Sequence, residues 1–144
     1  MKRGMSRLNK FLRLSFSEKI LLARIWLLLA IIRSGLSLLP FPTLRKVLTA
    51  ISPLIARGGE AWSADRLVWA VGAASRYVPR ATCLAQALAI QLVLKQSGRQ
   101  ASLHIGVNGV EEDHLDAHAW VESQGRVLIG GSDLSRYTHL TALE

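Results

Sequence analysis

The chain has 144 residues, half of them hydrophobic, which is enough for one domain with a real core. Its single cysteine excludes an internal disulfide, so nothing points to an oxidising compartment. A formal charge of +8 suits an anionic partner, yet the chain has no zinc-finger spacing, no Gly-rich phosphate loop and no aromatic–basic interleaving of a single-strand binder.

The positive charge is concentrated early. Lys2, Arg3, Arg7, Lys10, Arg13, Lys19, Arg24 and Arg33 face only Glu18 as a counter-charge, whereas Glu111, Glu112, Asp113 and Asp116 make a later stretch acidic. Ser17 can cap a helix over Glu18–Arg33 that is apolar almost all round. Arg24 interrupts its run Ile20–Ile32 and Arg33 ends it, which leaves about a dozen residues where a membrane span needs roughly twenty. A core or docking helix is the preferred reading; an interfacial membrane helix and a signal segment are the alternatives.

Gly35 and Pro40-Phe41-Pro42 are expected to break that helix. Thr43 can cap a second helix, Leu44 to Ile55, and Arg57-Gly58-Gly59 reads as a loop. Ser63 can cap a third helix, Ala64 to Arg76, ended by Tyr77-Val78-Pro79. A fourth runs from Cys83 to Gln96, with Cys83, Ala87, Ile90 and Leu94 on one face and Leu84, Leu88, Leu92 and Val93 around it. Such a helix belongs in the middle of a domain, and Gly98 is a candidate C-cap.

The pattern then changes to period two. Ala101, Leu103, Ile105 and Val107 alternate with Ser102, His104 and Gly106, and Asn108-Gly109 signals a turn. Ala117–Glu122 and Arg126–Ile129 read as a hairpin joined by Ser123-Gln124-Gly125, with Gly125 at the positive-φ position. Arg136–Leu140 reads as a last short strand. Helices followed by an antiparallel sheet predict an α+β fold.

A thiol at a helix start followed by a histidine on a strand is the arrangement that a papain- or transglutaminase-type nucleophile needs. Cys83 supplies the first and His118 the second. A lone cysteine in an apolar helix is otherwise an inert small hydrophobe. In the first turn, however, the helix dipole and free N–H groups favour an anion, and Arg76 and Arg80 add positive charge nearby. The same N–H groups could hold an oxyanion formed by attack from the sulfur. Alternation puts His118, Trp120 and Glu122 on one strand face and the small Ala117, Ala119 and Val121 on the other, which suits packing against a helix. If that helix bears Cys83, His118 has to approach the thiol from the strand's edge or through its twist. Trp120 could be core or could wall a peptide groove.

A third group should orient the imidazole. A three-residue hairpin loop would set Gly130 opposite His118, with Asp133 shortly after two glycines that permit a bulge. Asp116 shares the His118 face but lies about 7 Å along the strand. Asp133 is favoured over Asp116, although it could equally cap a turn in Ser132-Asp133-Leu134-Ser135. A metal site built from His104, His114 and His139 with Asp113 or Asp116 is disfavoured. The four-residue spacing of His114 and His118 makes a shared face on a helix and not on a strand.

Cys83-Leu84-x-x-Ala87-Leu88-Ala89, Gly98, Leu103-His104-Ile105-Gly106-Val107, Ala117-His118-Ala119-Trp120-Val121-Glu122 and Gly125-Arg126-Val127-Leu128 together resemble the transglutaminase-like leader peptidases of lasso-peptide biosynthesis. The stretch Ile20 to Leu48 resembles the helical lead-in of that family. The resemblance implies a transglutaminase/papain-like core in which a Cys-bearing helix packs on a small antiparallel sheet. It implies a cysteine protease, free of cofactor and metal, that removes the leader from a ribosomally made precursor peptide. The family's nucleophile falls on Cys83 and its base on His118. Its acidic member falls near Gly130, where this chain departs from the family's pattern, and Asp133 is the acid that follows.

These readings divide the chain into a helical lead-in over residues 1–60, assigned to docking, and a protease core over 61–144, within one compact unit. The leader-binding domain of fused relatives is not recognisable in the helices before Cys83. A separate leader-binding protein is therefore the expected partner, with the lasso cyclase a further one, in the bacterial cytoplasm. Nucleic acid is not expected to be a partner. The alternatives are a non-enzymatic basic helical module that docks on a membrane or an acidic partner, and an enzyme that transfers the acyl group to an amine.

Overall fold

The structure is a computed structural model that describes residues 2–55, 62–80, 82–111, 114–129 and 138–143. They form five helices: α1 (Lys2–Leu12), α2 (Phe16–Leu38), α3 (Phe41–Ile55), α4 (Ala64–Ser75) and α5 (Cys83–Gln96). Four strands follow: β1 (Ser102–Glu111), β2 (His114–Ser123), β3 (Arg126–Ile129) and β4 (Thr138–Leu143). The sheet is antiparallel in the order β3-β2-β1-β4. The expected α+β class is the observed one.

Helix α2 differs from the expectation at both ends. Its cap is Ser15, not Ser17. The Ser15 hydroxyl accepts from the Glu18 N–H at 3.2 Å, and the Ser15 N–H donates to Glu18 Oε2 at 2.8 Å. This reciprocal box satisfies two donors at once, which Ser17 cannot do. At the other end Gly35 does not break the helix but lies buried inside it. A Cβ there would run into Leu44 Cδ1, so the glycine exists to let α3 come close. The helix stops at Leu39, which is extended (φ −121°, ψ 148°) as the residue before Pro40 should be. The result is a 23-residue helix, long and apolar enough by length and composition to cross a membrane. One of its faces, Leu21, Ile25, Leu28, Leu29 and Ile32, is nevertheless buried in the protein core.

Helix α3 starts at Phe41, before the expected Leu44, because Pro42 sits in the first turn, where its missing N–H costs nothing. Helix α1 has no counterpart among the expected elements. Helix α4 is capped by Ser63 as expected and ends one residue early, at Ser75.

Helix α5 is the centre of the molecule, in contact with α2, α3, α4, β1 and β2. Thr82 caps it by accepting from the Ala85 N–H at 3.3 Å. Its end is a Schellman turn. Gly98 (φ +79°) donates to Lys95 O, and Arg99 donates to Leu94 O at 2.9 Å. Ala87, Leu88, Ile90 and Leu94 are buried with Leu103, Ala119 and Val121 from the sheet. The small-residue face of β2 is therefore the face turned into the core. The one buried polar side chain described on α5, Gln91, donates to Ala101 O at 3.2 Å and to Leu143 O at 2.6 Å. That amide ties the middle of α5 to the start of β1 and the end of β4.

Three strand expectations are corrected. Asn108-Gly109 is not the reversal. Strand β1 runs on to Glu111, with a register shift between Asn108 and Glu111 where a glycine is easily accommodated. The β2–β3 loop has two residues, because Ser123 pairs with Arg126. Both Gln124 (φ 52°) and Gly125 (φ 75°) adopt the left-handed conformation of a tight primed turn. The pairing is therefore one residue out of step with the expected register, and a further shift follows at Val121, which pairs with Ile129. Gly130, expected opposite His118, lies outside the described residues. Strand β4 extends to Leu143, where it pairs with Leu103, and so outlasts the expected end at Leu140.

Candidate functional site

Cys83 is the first residue of α5, and its side chain is exposed. The chain reaches it through a turn after α4 in which Val78 is buried and Arg80 takes a left-handed conformation (φ 57°). The Trp26 indole N–H on α2 donates to Tyr77 O at 3.2 Å and holds this turn. In the first turn of a helix the N–H groups have no partner within the helix. Thr82 takes that of Ala85, and those of Cys83 and Leu84 have no partner among the described residues. The dipole and these donors suit an anion at this point.

Arg80 belongs to a second feature. An open depression of about 480 Å³ lies between the C-terminal half of α2 and this turn, lined by Arg33, Ser34, Ser37, Pro79 and Arg80 among others. Arg33 Nη1 donates to Ser37 Oγ at 2.5 Å. Positive charge thus reaches within three residues of the thiol.

His118 lies on β2, half-buried, and its cross-strand neighbour on β1 is Gly106, which has no side chain to crowd the ring. The Trp120 ring stacks against it, with centroids 6.3 Å apart and planes 23° apart. Trp120 also stacks on His104, its partner across the strands, at 5.4 Å and 9°. The indole N–H donates to Glu122 Oε1 at 3.2 Å, and His104 Nε2 lies 3.5 Å from Glu122 Oε2. Trp120 is only 5% exposed, so it is packed between other side chains and does not stand as an open wall. The sequence reading missed the link of His104 and Glu122 to this tryptophan. Alternation put each on the polar face of its strand, but only the register makes them neighbours.

Helix α5 packs on β2, and the two candidate residues fall at the same end of that layer. Gln91 marks a common level, because it bonds Leu143, which pairs with Leu103, which pairs with Val121. From there Cys83 lies back along the helix by about 12 Å at 1.5 Å per residue. His118 lies back along β2 by about 10 Å at 3.3–3.4 Å per residue. The short connection from α5 to β1 makes both displacements run the same way. The face that carries His118 is the one away from the α5 core, which leaves the strand edge as the route to the thiol. Among the described residues β3 pairs with β2 only over Val121–Ser123, so that edge has no described partner beside His118.

Asp133 lies outside the described residues. The backbone of Asp116 is described and pairs with Asn108, two positions before His118 on β2. The Glu122 carboxylate is engaged by Trp120 and His104. Among the described residues no group of three His, Cys, Asp or Glu could hold a metal ion.

A family model described as the transglutaminase-like superfamily matches residues 26–142. No curated protein and no solved structure matches the chain.

Proposed function

Because the chain belongs to the transglutaminase-like superfamily, which includes cysteine proteases and acyl transferases, we propose that it is a cysteine peptidase that removes the leader from a ribosomally made lasso precursor peptide. The observation that carries this reading is an exposed thiol at the N-terminus of α5, packed on the strand that bears a half-buried histidine.

His118 takes the thiol proton of Cys83 as the sulfur attacks the carbonyl at the leader–core junction. The N–H groups of the first helical turn receive the oxyanion. As the tetrahedral species collapses, His118 gives a proton to the leaving amine of the core peptide, and the leader remains as a thioester on Cys83. His118 then takes a proton from water, which attacks the thioester and frees the leader carboxylate and the thiol. An acid, Asp133 ahead of Asp116, orients the imidazole, and Trp120 holds its ring plane. No cofactor or metal takes part in these steps. A separate leader-binding protein presents the substrate, and the lasso cyclase takes up the core, in the bacterial cytoplasm.

The test incubates the protein with precursor and leader-binding protein and follows the products by mass spectrometry. Free leader and free core support hydrolysis. Leader joined to an added primary amine would support the acyl-transfer alternative, and an unchanged precursor would speak against both.

A further inference from the structure

We infer that α1 and the outer stripe of α2 form a surface that binds anionic lipid bilayers. At 100° per residue, Leu8, Phe11 and Leu12 fall within an arc of about 100° on α1. Arg7 and Lys10, with Arg13 just beyond the helix, fall on the opposite side within an arc of about 120°. No acidic residue precedes Glu18. A helix with strongly segregated faces, basic residues on one side and Leu and Phe on the other is suited to lie in the headgroup layer.

The protein leaves the apolar face of this helix open, with Leu8 59%, Phe11 45% and Leu12 60% exposed. The same condition continues along α2. Phe16, Ile20, Leu27 and Leu38 fall within about 40° of one another on that helix, and all are exposed, Phe16 at 78% and Leu38 at 80%. Patches of this kind on a folded protein mark an interaction site. The opposite side of α2 is buried against α4 and α5, so the helix lies on the bilayer and does not cross it. Charge selects the occupant. Basic residues flank the apolar faces, and each one near an anionic leaflet contributes favourably within the screening length. An apolar layer with a negative surface is what both features match.

This inference does not depend on the catalytic reading, because its test reads binding alone. The full chain is sedimented with vesicles of phosphatidylcholine, with or without about a third phosphatidylglycerol. It should bind the anionic vesicles at least tenfold more tightly than the neutral ones, and the preference should shrink as salt shortens the screening length to about 3 Å near 1 M. Leu8→Gln with Leu12→Gln should weaken binding about tenfold or more while circular dichroism stays unchanged, since both residues are exposed. Arg7→Gln with Lys10→Gln should remove the preference for anionic lipid. Equal binding to both vesicle types, no binding, or variants that bind as well as the parent would overturn the inference. So would tight capture by an acidic protein partner in a chain that ignores vesicles.

Discussion

The indole of Trp120 stacks on the imidazole of His118, with ring centroids 6.3 Å apart. The tryptophan is itself held by Glu122 and His104, so the histidine rests on a fixed platform. In the proposed mechanism this platform keeps the general base in one orientation. Trp120→Ala should then lower kcat with little change in KM, and Trp120→Phe should recover most of it. A substrate-contacting Trp120 would raise KM instead. Truncating a buried tryptophan costs about 3–5 kcal/mol of stability, so the assay needs a thermal melt beside it.

Gln91 gives a purely structural test. It is buried and its amide satisfies the carbonyls of Ala101 and Leu143. Gln91→Leu leaves both carbonyls short of a partner, at about 1–3 kcal/mol for an orphaned buried group. Urea unfolding should show a loss of at least about 2 kcal/mol. A neutral substitution would mean that the amide does not join α5 to β1 and β4.

The contact of Gly35 with Leu44 should behave as a coupled pair. Gly35→Ala drives a methyl group into Leu44 Cδ1 and should cost about 1–3 kcal/mol through overpacking. In the Leu44→Ala background the added methyl should cost less. Strict additivity in that double-mutant cycle would show that the two helices do not meet there.

Much of this fold can be read from local signals. Gly98 after an apolar run bounds α5 because a left-handed C′ residue is local chemistry. Cys83, and the strand character of the segment around His118, were legible for the same reason. Gly35 was misread because its role is a packing contact with Leu44, a residue on the next helix, and a glycine's sequence context does not distinguish a break from a close approach. The β2–β3 register was misjudged because Gln124, a residue with a Cβ, accepts a positive φ that local preference assigns to glycine alone. Helix α1 was missed although its apolar and basic residues segregate at helical spacing. The sum of the early charges does not show the faces on which they lie. A signal for Gln91 did exist, since a single amide within a helix apolar on every side has to be satisfied by something.

The identity of the third catalytic member separates by substitution. Asp133→Asn should slow leader removal, though less than loss of Cys83, because an orienting group contributes less than the nucleophile. Asp116→Asn should leave the rate closer to the parent's. A larger effect at Asp116 would move the role to β2 itself, two residues from His118.

The most direct measurement is leader removal by Cys83→Ala, with folding followed in parallel. Because Cys83 is exposed at the helix start, its loss should leave the melting temperature near that of the parent. Cleavage of partner-presented precursor should fall by several orders of magnitude, as for the nucleophile of a triad. Cleavage by folded Cys83→Ala at the parent's rate would contradict the cysteine-peptidase reading.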